Sequence, residues 1–562
     1  MRKRNRVLLA PLWPVLLTAS CAFPGRLLRG YAEGHPVRLS EALAENAALD
    51  NPVIAGMARF LFDDMGSLNT DGLTTYTLPW KVVATSMVLR GHETDGLPIS
   101  PTTLYGILAS YGFIAPSEIA NWTGRRPAAT GPVGLLRATA SRGFPRVELE
   151  VASLGCAACH AGLLYDADGR PTQTMWLGAP NTSLNTEAYV TAVFAGLRHI
   201  QGREDRFWEA LATLFPETSQ AERNTIRKHV LPPIRDLFEN DWRDRESAVP
   251  YSNGSAGLTN GVASVKNMLG LLDDDARATE VAFTSIPFIG DRVLRTSLLY
   301  DGTYGVPGRP RFSPMDLSGV SEMHLDAVAD IVTFFVVPTL GIPADRARNA
   351  YSRVRQVVDF IATLRPPPFP GPIDTLLALE GERIYGTHCA ECHGEFSPGL
   401  KSVTLVAFPN QLVPQERIRT DPHRWQLATV ELAEAVASSD YRRYITVQTT
   451  GGYVAMPLSG LWISAPYLHN GSVPTLWHLM HPEQRPERFM VGGHMLDYDR
   501  VGIAGQIDET GLYDYPARYT PWSSAALYDT REPGKSRFGH EAEFAPLTEA
   551  QKRALLEYLK VL

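Results

Sequence analysis

Apolar residues recur at helical spacing over much of the chain, and turn-forming residues separate these segments. In Arg346–Leu364 the apolar positions lie three or four residues apart, which predicts a helix with one buried face. The last helix is predicted to begin at Thr548–Gln551, a capping-box pattern followed by leucines on one side. Val147–Val151 alternates as a strand does. The other predicted helices are Leu39–Leu49, Pro52–Met65, Asn185–Gly196, Arg203–Leu214, 218–240, His324–Pro338 and Thr375–Thr387.

Two stretches lack this periodicity and divide the chain. Residues 251–320 are rich in glycine and proline, so we expect loops there. Residues 366–372 are mostly proline, which forbids a helix and favours an extended linker. A chain of 562 residues is long enough for more than one domain. We therefore predict an N-terminal unit at 21–365 and a C-terminal unit at 373–562.

The start of the chain has the pattern of an export signal. Four basic residues at positions 2–6 precede apolar Val7–Leu17, and small residues precede Cys21. This predicts a signal peptide at 1–20 that is removed on export. The pattern resembles a bacterial lipoprotein signal, in which Cys21 becomes a lipidated N-terminus. Because Thr18 stands where leucine is usual, ordinary cleavage nearby is the alternative. Both interpretations predict a periplasmic or cell-surface protein.

The charge of the chain limits its partners. Its net charge is −7, and loss of residues 1–20 with their four positive charges leaves about −11. This argues against nucleic acid and anionic lipid surfaces, and it fits a basic redox partner protein. The longest apolar run, Ile331–Ile342, is too short to cross a bilayer. We therefore expect membrane contact only through a lipid at Cys21.

Four of the five cysteines lie in two C-x-x-C-H runs, Cys156–His160 and Cys389–His393. This is the attachment pattern of c-type haem, in which both thiols bind the porphyrin and the histidine binds the iron. A redox dithiol or half of a zinc site is the alternative interpretation of a cysteine pair. A histidine directly after both pairs favours haem. The sequence therefore predicts two covalently bound haems c, with Cys156, Cys159 and His160 holding the first and Cys389, Cys392 and His393 the second.

The elements around the second motif predict the fold class. A helix before C-x-x-C-H and a helix at the end of the domain are typical of class I cytochrome c. We therefore expect a mainly α protein, with two cytochrome c-type haem domains and long loop-rich insertions.

The sixth ligand of each iron decides the function, because an open position binds O2 or peroxide and two protein ligands favour electron transfer. For the second haem the candidates are Met456, in a Met-Pro pair, and His540 before the last helix. For the first haem no candidate stands out, which favours an open site. Those possible on position alone are Met175, His199, His229 and His324.

The segment Ala465–Leu476 closely resembles a motif of the di-haem cytochrome c peroxidase and MauG superfamily, and most of all its rubber oxygenase-like branch. Further agreement is spread over 364–562, and in the N-terminal half it is limited to the haem motif and Gly178–Asn181. The other matching runs are Leu364–Pro368, Gly381–Glu382, Pro457–Trp462, Arg485–Pro486, Asp499–Gly502 and Gly539–Glu541.

The resemblance implies a reactive first haem, with His160 as the catalytic ligand, and an electron-transfer second haem with His540 as its distal ligand. In the rubber oxygenase-like proteins the first haem binds O2 and cleaves an apolar polymer, and in the peroxidases it reduces H2O2. The peroxidases often bind Ca²⁺ between their domains, which leaves a calcium ion open here. Two departures concern the specific activity: Val454 and Met456 replace a lysine and an arginine, and Tyr300–Gly302 replaces Trp-Asp-Gly.

We therefore expect an exported haem oxidoreductase, peroxidase-like or rubber oxygenase-like. The alternative is a non-catalytic periplasmic electron-transfer cytochrome, which requires two protein ligands on both irons.

Overall fold

The computed structural model describes residues 43–44, 51–65, 78–125, 132–142, 147–315, 317, 320–339 and 347–562. The predicted signal peptide at 1–20, Cys21 and most of the helix predicted at Leu39–Leu49 lie outside these residues. None of the helices in the described part is both long and apolar enough to cross a membrane.

The predicted fold class was wrong. Of the described residues, 42% are helical and 15% lie in strands, in many small sheets, so the fold is mixed α/β and not a mainly α pair of haem domains. Most of these strands have only two to four residues, too few for an alternating pattern to be recognised. They form because buried backbone N–H and C=O groups in the loop-rich stretches need partners.

The helices before the Pro-rich segment are spread over the N-terminal half. A π-helical turn at Ile226–Val230 lies between α7 and α8, and 3-10 turns form at Gly290–Leu294 and Arg348–Ala350. The α-helices are α1 (Pro52–Phe62), α2 (Trp80–Asp95), α3 (Pro101–Ser110), α4 (Cys156–His160), α5 (Thr186–His199), α6 (Glu204–Leu214), α7 (Gln220–Thr225), α8 (Leu231–Glu239), α9 (Gly261–Met268), α10 (Ala276–Thr279), α11 (Glu322–Thr339) and α12 (Tyr351–Thr363).

After the Pro-rich segment, most helices are single turns. 3-10 turns form at Asp440–Arg443 and Pro482–Gln484. The α-helices are α13 (Thr375–His388), α14 (Ala390–His393), α15 (Gln415–Ile418), α16 (His423–Gln426), α17 (Val430–Ser438), α18 (Leu476–Met480), α19 (Glu541–Phe544) and α20 (Glu549–Leu559).

The strands make small sheets, several of which flank the two C-x-x-C-H motifs. They are β1 (Leu78–Pro79), β2 (Glu118–Ile119), β3 (Leu135–Arg142), β4 (Val147–Leu154), β5 (Ala161–Tyr165), β6 (Pro171–Leu177), β7 (Leu258–Thr259), β8 (Thr284–Ser285), β9 (Ser297–Leu298), β10 (Tyr304–Gly305), β11 (Glu395–Phe396), β12 (Leu405–Ala407), β13 (Leu412–Pro414), β14 (Thr446–Val447), β15 (Gly452–Val454), β16 (Arg488–Val491), β17 (Leu496–Asp497), β18 (Gly502–Ile503), β19 (Gln506–Ile507), β20 (Leu512–Asp514) and β21 (Ala526–Asp529).

The sheet order places the first motif between two three-stranded sheets. Strand β4 of sheet β1-β4-β3 leads into α4, and strand β5 of sheet β2-β6-β5 follows α4 directly. A third sheet, β14-β10-β9, pairs Tyr304 with Val447. Residues from both sides of the predicted linker therefore share one sheet.

Helix α13 and the last helix, α20, pack closely against each other. A Cβ atom added at Gly381 would lie 2.0 Å from the carbonyl oxygen of Ala554, so only glycine permits this approach. The rings of Tyr385 and Tyr558 meet at the same interface, with centroids 5.4 Å apart. The predicted capping box at Thr548–Gln551 is confirmed at the start of α20. The sequence thus correctly placed the helix pair that supports the second motif.

Helix α2 was not predicted from the sequence because it lacks a polar face. Every residue from Trp80 to Leu89 is buried, so the apolar positions show no helical periodicity. Even Lys81 is buried, and its Nζ atom lies 2.7 Å from Oε2 of Glu222. The stretch 218–240, whose many polar residues predict a solvated helix, is helical over most of its length. It is not solvated on all sides, because Ile226, Val230 and Leu231 belong to the hydrophobic cluster around α2.

Candidate haem centres

The first C-x-x-C-H motif forms α4, a single turn clamped by the backbone that follows β6. The N–H of Gly178 donates to the carbonyl of His160 at 2.8 Å, and the N–H of Asn181 donates to the carbonyl of Cys159 at 2.8 Å. The side-chain amide of Asn181 donates to the Ala158 carbonyl at 3.2 Å. Gly178 has φ +91°, and a Cβ there would lie 2.5 Å from a methyl group of Leu364. The run Gly178–Asn181 is therefore the backbone clamp of the first motif.

The thiols of this motif are free and half-buried. Burial raises the pKa of Cys156 to about 12 and that of Cys159 to about 11. Both are therefore neutral thiols at neutral pH.

The His160 ring lies in a desolvated and positively charged environment. Burial lowers its pKa to about 4, a nearby Pro287 carbonyl opposes this change, and the charge of Arg292 adds to it. Nδ1 of His160 is buried and makes no hydrogen bond of normal geometry, although Pro287 lies near. The neutral imidazole is the form that binds a metal.

The second motif follows α13 directly and is stabilised from both sides. The Tyr385 hydroxyl donates to the carbonyl of Gly394 at 2.9 Å. Burial raises the pKa of Cys389 to about 12 and also raises that of Cys392. Nδ1 of His393 lies 2.7 Å from the carbonyl oxygen of Met456. When Nδ1 carries the proton and donates it to this carbonyl, Nε2 is free to bind a metal.

His540 faces His393 across the second centre. Their ring centroids are 6.3 Å apart and the ring planes are inclined by 20°. A metal–imidazole bond is about 2 Å long, so two imidazoles on opposite sides of one iron have ring centres roughly 6 Å apart. Nδ1 of His540 is buried without a hydrogen bond, and burial lowers the pKa of His540 to about 3. Two neutral, facing imidazoles fit an iron between them.

The backbone around His540 is held in an unusual conformation. His540 has φ +69°, a left-handed conformation that is uncommon for residues other than glycine. Arg485 donates to the Gly539 carbonyl at 3.0 Å and to Glu541 Oε1 at 2.8 Å, and the His540 N–H donates to the Ile418 carbonyl at 3.2 Å. These contacts join Arg485–Pro486 to Gly539–Glu541, two of the runs that carry the family resemblance.

Beside the second centre, Arg424 is a buried cation with unused hydrogen-bond donors. Its side chain is 1% exposed, and none of its three guanidinium nitrogens makes a hydrogen bond of normal geometry. Its nearest acidic partner is Asp301, with 3.5 Å between Nε and Oδ2. A buried guanidinium needs acceptors, and carboxylates match its planar donors. The carboxylate groups of haem have the chemistry that this environment requires.

Aromatic side chains complete this environment. Tyr453 lies 4.2 Å from His469, centroid to centroid, and Tyr300 lies 6.3 Å from His469. Tyr300 and Cys392 pack on the same small apolar cluster, which includes Tyr453 and Ile418. Burial lowers the pKa of His469 to about 3, so this ring is neutral at neutral pH.

The four candidates for the distal side of the first haem differ in their surroundings. Nε2 of His199 lies 2.8 Å from Glu93, and Nε2 of His324 lies 2.7 Å from the Val293 carbonyl. His229 lies in the π-helical turn and is half-buried. Met175 is fully buried in the hydrophobic cluster that also contains Cys156 and Ala157. Within the described ranges, no imidazole faces His160 as His540 faces His393.

Sequence reasoning named the two motifs and His540, which the structure brings next to His393, but it did not name Arg292 or Arg424. Neither arginine lies in a pattern that distinguishes it from a surface residue, so the sequence held no signal for them. In the part of the chain that the structure describes, no group of three or more His, Cys, Asp or Glu side chains is arranged to hold a metal ion. The structure therefore adds no support for the Ca²⁺ ion that the resemblance left open.

Comparison with known proteins agrees with this chemistry. Residues 452–490, which include Met456 and His469, match the family model described as RoxA-like, cytochrome c-like. Two curated relatives come from Sinorhizobium fredii, the uncharacterized proteins y4iM and y4iJ. The first is 29% identical over 226 aligned positions, which cover 37% of this chain and 50% of the relative. The second is 25% identical over 500 aligned positions, which cover 74% of this chain and 77% of the relative.

The chain thus spans half the length of one relative and about three quarters of the other. The family match implies covalently bound haem c and a cytochrome c oxidoreductase-like function. It does not support the expected assignment to the di-haem peroxidase and MauG proteins. What the comparisons show for this chain is a similarity to the RoxA-like cytochrome c proteins over residues 452–490.

Proposed function

We propose that the protein is an exported oxidoreductase with two haems c, in which the N-terminal haem activates O2 or H2O2 and the C-terminal haem transfers electrons. One observation carries this proposal: the two motif histidines have unlike surroundings. His393 faces the imidazole of His540 at 6.3 Å, whereas no imidazole of the described residues faces His160 in this way. An iron with two protein ligands transfers electrons, and an iron with a free position binds O2 or peroxide.

The residues of the first centre would hold the group through two thiols and one imidazole. Cys156 and Cys159 would be the points of covalent attachment, and His160 would be the iron ligand. The backbone clamp at Gly178–Asn181 holds the turn that carries all three side chains. His160 is therefore the catalytic ligand of this proposal.

The residues of the second centre would bind the group through two thiols and two imidazoles. Cys389 and Cys392 would attach it, and His393 and His540 would bind its iron. The Met456 carbonyl orients His393 through Nδ1, and Arg485 holds the turn that presents His540. In this proposal Met456 acts through its main-chain carbonyl. The alternative ligand is the Met456 thioether, and EPR spectra of His540→Ala and Met456→Leu decide between the two.

The partners follow from charge and chemistry. A basic redox protein would exchange electrons with this acidic chain. The co-substrate is O2 or H2O2, and an apolar organic substrate belongs to the oxygenase form of the proposal. The location is the periplasm or cell surface, with Cys21 as a lipid anchor if the lipoprotein signal is used.

The test is low-temperature EPR of the air-oxidised protein, with haem content measured in the same sample. We expect two haems per chain, one giving a high-spin ferric signal and the other a low-spin signal. Two assays then choose between the two chemistries. Consumption of O2 in the presence of an apolar polyene indicates an oxygenase, and consumption of H2O2 in the presence of a reduced electron carrier indicates a peroxidase. Two low-spin signals in the oxidised protein, together with no new cyanide signal from the haem that stays ferric after one-electron reduction, would exclude activation at the first haem.

One observation favours a non-catalytic electron carrier as the second candidate. Met175 is fully buried in the cluster around the first motif, and a thioether is a known axial ligand of c-type haem. If Met175 binds the first iron, Met175→Leu will convert a low-spin signal into a high-spin one. An unchanged EPR spectrum in this variant removes the candidate.

A further inference from the structure

The segment 286–295 joins the two motifs through hydrogen bonds, and we call it the bridge. At the first centre, the Ile289 N–H donates to the Gly178 carbonyl at 3.1 Å. The N–H of the same Gly178 donates to the carbonyl of His160 at 2.8 Å. Pro287, within the bridge, supplies the carbonyl near the His160 ring. One end of the bridge is therefore part of the first haem site.

The bridge is also bound to the segment that follows Met456. The Phe288 N–H donates to Ser464 Oγ at 3.3 Å, and the Ser459 hydroxyl donates to the carboxylate of Asp291. The Phe288 ring lies on Gly460, where an added Cβ would lie 2.5 Å from the ring. These contacts begin three residues after Met456, whose carbonyl holds His393. A short, packed path thus connects the surroundings of both motif histidines.

Arg292 lies in the middle of this path and has an unused donor. Its Nε donates to the Phe288 carbonyl at 3.2 Å, and its guanidinium carbon lies 5.6 Å from the centre of the Tyr300 ring. Nη1 is buried and has no hydrogen bond, although the residue as a whole is only half-buried. Asp291 beside it is bound by Ser459. A carboxylate that reaches Nη1 would satisfy this donor.

The neighbours of Arg292 connect its guanidinium to both motifs. The Phe288 carbonyl that accepts from its Nε adjoins Pro287, whose carbonyl lies near the His160 ring. The Tyr300 ring that the guanidinium contacts packs on the apolar cluster that also contains Cys392 of the second motif. The charge of this guanidinium is strongly felt where water is excluded.

We propose that Arg292 is a cation shared by both haem centres, which binds a haem carboxylate through Nη1 and raises the reduction potential of both irons. This inference rests on the two-haem proposal. Reduction lowers the positive charge on an iron by one, so a nearby buried cation favours the reduced state. Loss of the cation lowers both potentials, and an uncompensated haem carboxylate acts in the same direction.

The test is a spectroelectrochemical titration of the holoprotein and three variants. Arg292→Gln removes the charge, and Arg292→Lys keeps a charge but loses the planar donor set. Arg383→Gln is the control, because this arginine on α13 is close in sequence to the second motif but has a 77% exposed side chain. Water and salt screen an exposed charge, so its removal leaves both potentials unchanged.

We expect Arg292→Gln to lower the reduction potential of each haem by about 59 mV, which corresponds to a tenfold change in the equilibrium constant of a one-electron reduction. Arg292→Lys should shift both in the same direction by less. A shift of one haem alone, or of neither, overturns the proposal. If Arg292→Gln does not retain haem, the Lys variant decides, and unchanged potentials in it are contrary to the proposal. A haem content of one per chain in the unsubstituted protein is a different result, which rejects the two-haem function itself.

Discussion

The imidazoles of His393 and His540 face each other with centroids 6.3 Å apart, although one follows α13 and the other precedes the last two helices. This spacing fits an iron bound by both rings. The left-handed backbone at His540, φ +69°, turns the chain at this point, and Arg485 binds the turn. Strained positions that are held by several contacts are typical of functional sites.

Replacement of His540 by alanine should open the second iron. We expect the low-spin ferric EPR signal of that haem to be replaced by a high-spin signal, with haem content unchanged. Met456→Leu is the matched control, because the contact of Met456 with His393 is made by its main-chain carbonyl. Loss of the low-spin signal in Met456→Leu, with His540→Ala unchanged, would instead identify the Met456 thioether as the ligand.

Two glycines of α13 should respond oppositely to alanine. At Gly381 the new Cβ would lie 2.0 Å from the Ala554 carbonyl oxygen, so α20 must move, at a cost of about 1–3 kcal/mol. At Gly386 nothing lies within 4 Å, so alanine should stabilise the helix by about 0.5–1 kcal/mol. Thermal unfolding of the holoprotein measures both. Equal melting temperatures for the two variants would show that the α13–α20 contact is not as close as described.

The Arg424–Asp301 pair should show strong energetic coupling. Among the described residues, the hydrogen bonds that remain to the buried carboxylate of Asp301 in Arg424→Met come from the hydroxyl and N–H of Thr303, at 2.5 and 3.3 Å. Breaking a buried pair in this way costs about 3–5 kcal/mol. We expect the double variant Asp301→Asn/Arg424→Met to lose less stability than the two single variants together, as measured by denaturant unfolding with haem content monitored. Additive losses would mean that the two side chains do not act as a pair.

His478 should make the protein less stable in mild acid. Its side chain is buried, and burial lowers its pKa to about 3, with Arg500, His481 and Arg485 adding to this effect. An unfolded histidine has a pKa of about 6.5, so below that pH the unfolded chain binds a proton that the folded chain does not. Stability is therefore lost as pH falls below about 6.5, by roughly 2 kcal/mol at pH 5.

The measurement for His478 compares the unfolding free energy at pH 7 and pH 5 in the unsubstituted protein and in His478→Asn. Asparagine can still bond the Thr475 hydroxyl, which lies 2.8 Å from Nδ1 of His478, but it does not titrate. We expect the difference between the two pH values to be smaller in the variant. The same difference in both proteins would contradict a buried neutral His478.

Local chemistry explains how much of this protein was predictable. The cysteines and histidine of each motif lie within five residues, so their joint role needs only one helical turn. Helices α13 and α20 were predicted because each has one apolar side and, for α20, a capping box. By contrast, α2 was missed because it is buried on all sides, and the fold class was wrong because strands of two to four residues have no readable period.

Contacts between distant residues were decided only by the tertiary structure. The Met456 carbonyl at His393, the Gly178–Asn181 clamp and the place of Arg292 between the motifs all join segments far apart in the chain. Periodicity and capping describe neighbours along the sequence, and they contain no distance between remote segments. Those distances are set by how helices and small sheets bury their apolar faces together. The same packing removes water from Arg424 and from Nη1 of Arg292, and a charge acts more strongly where water is excluded.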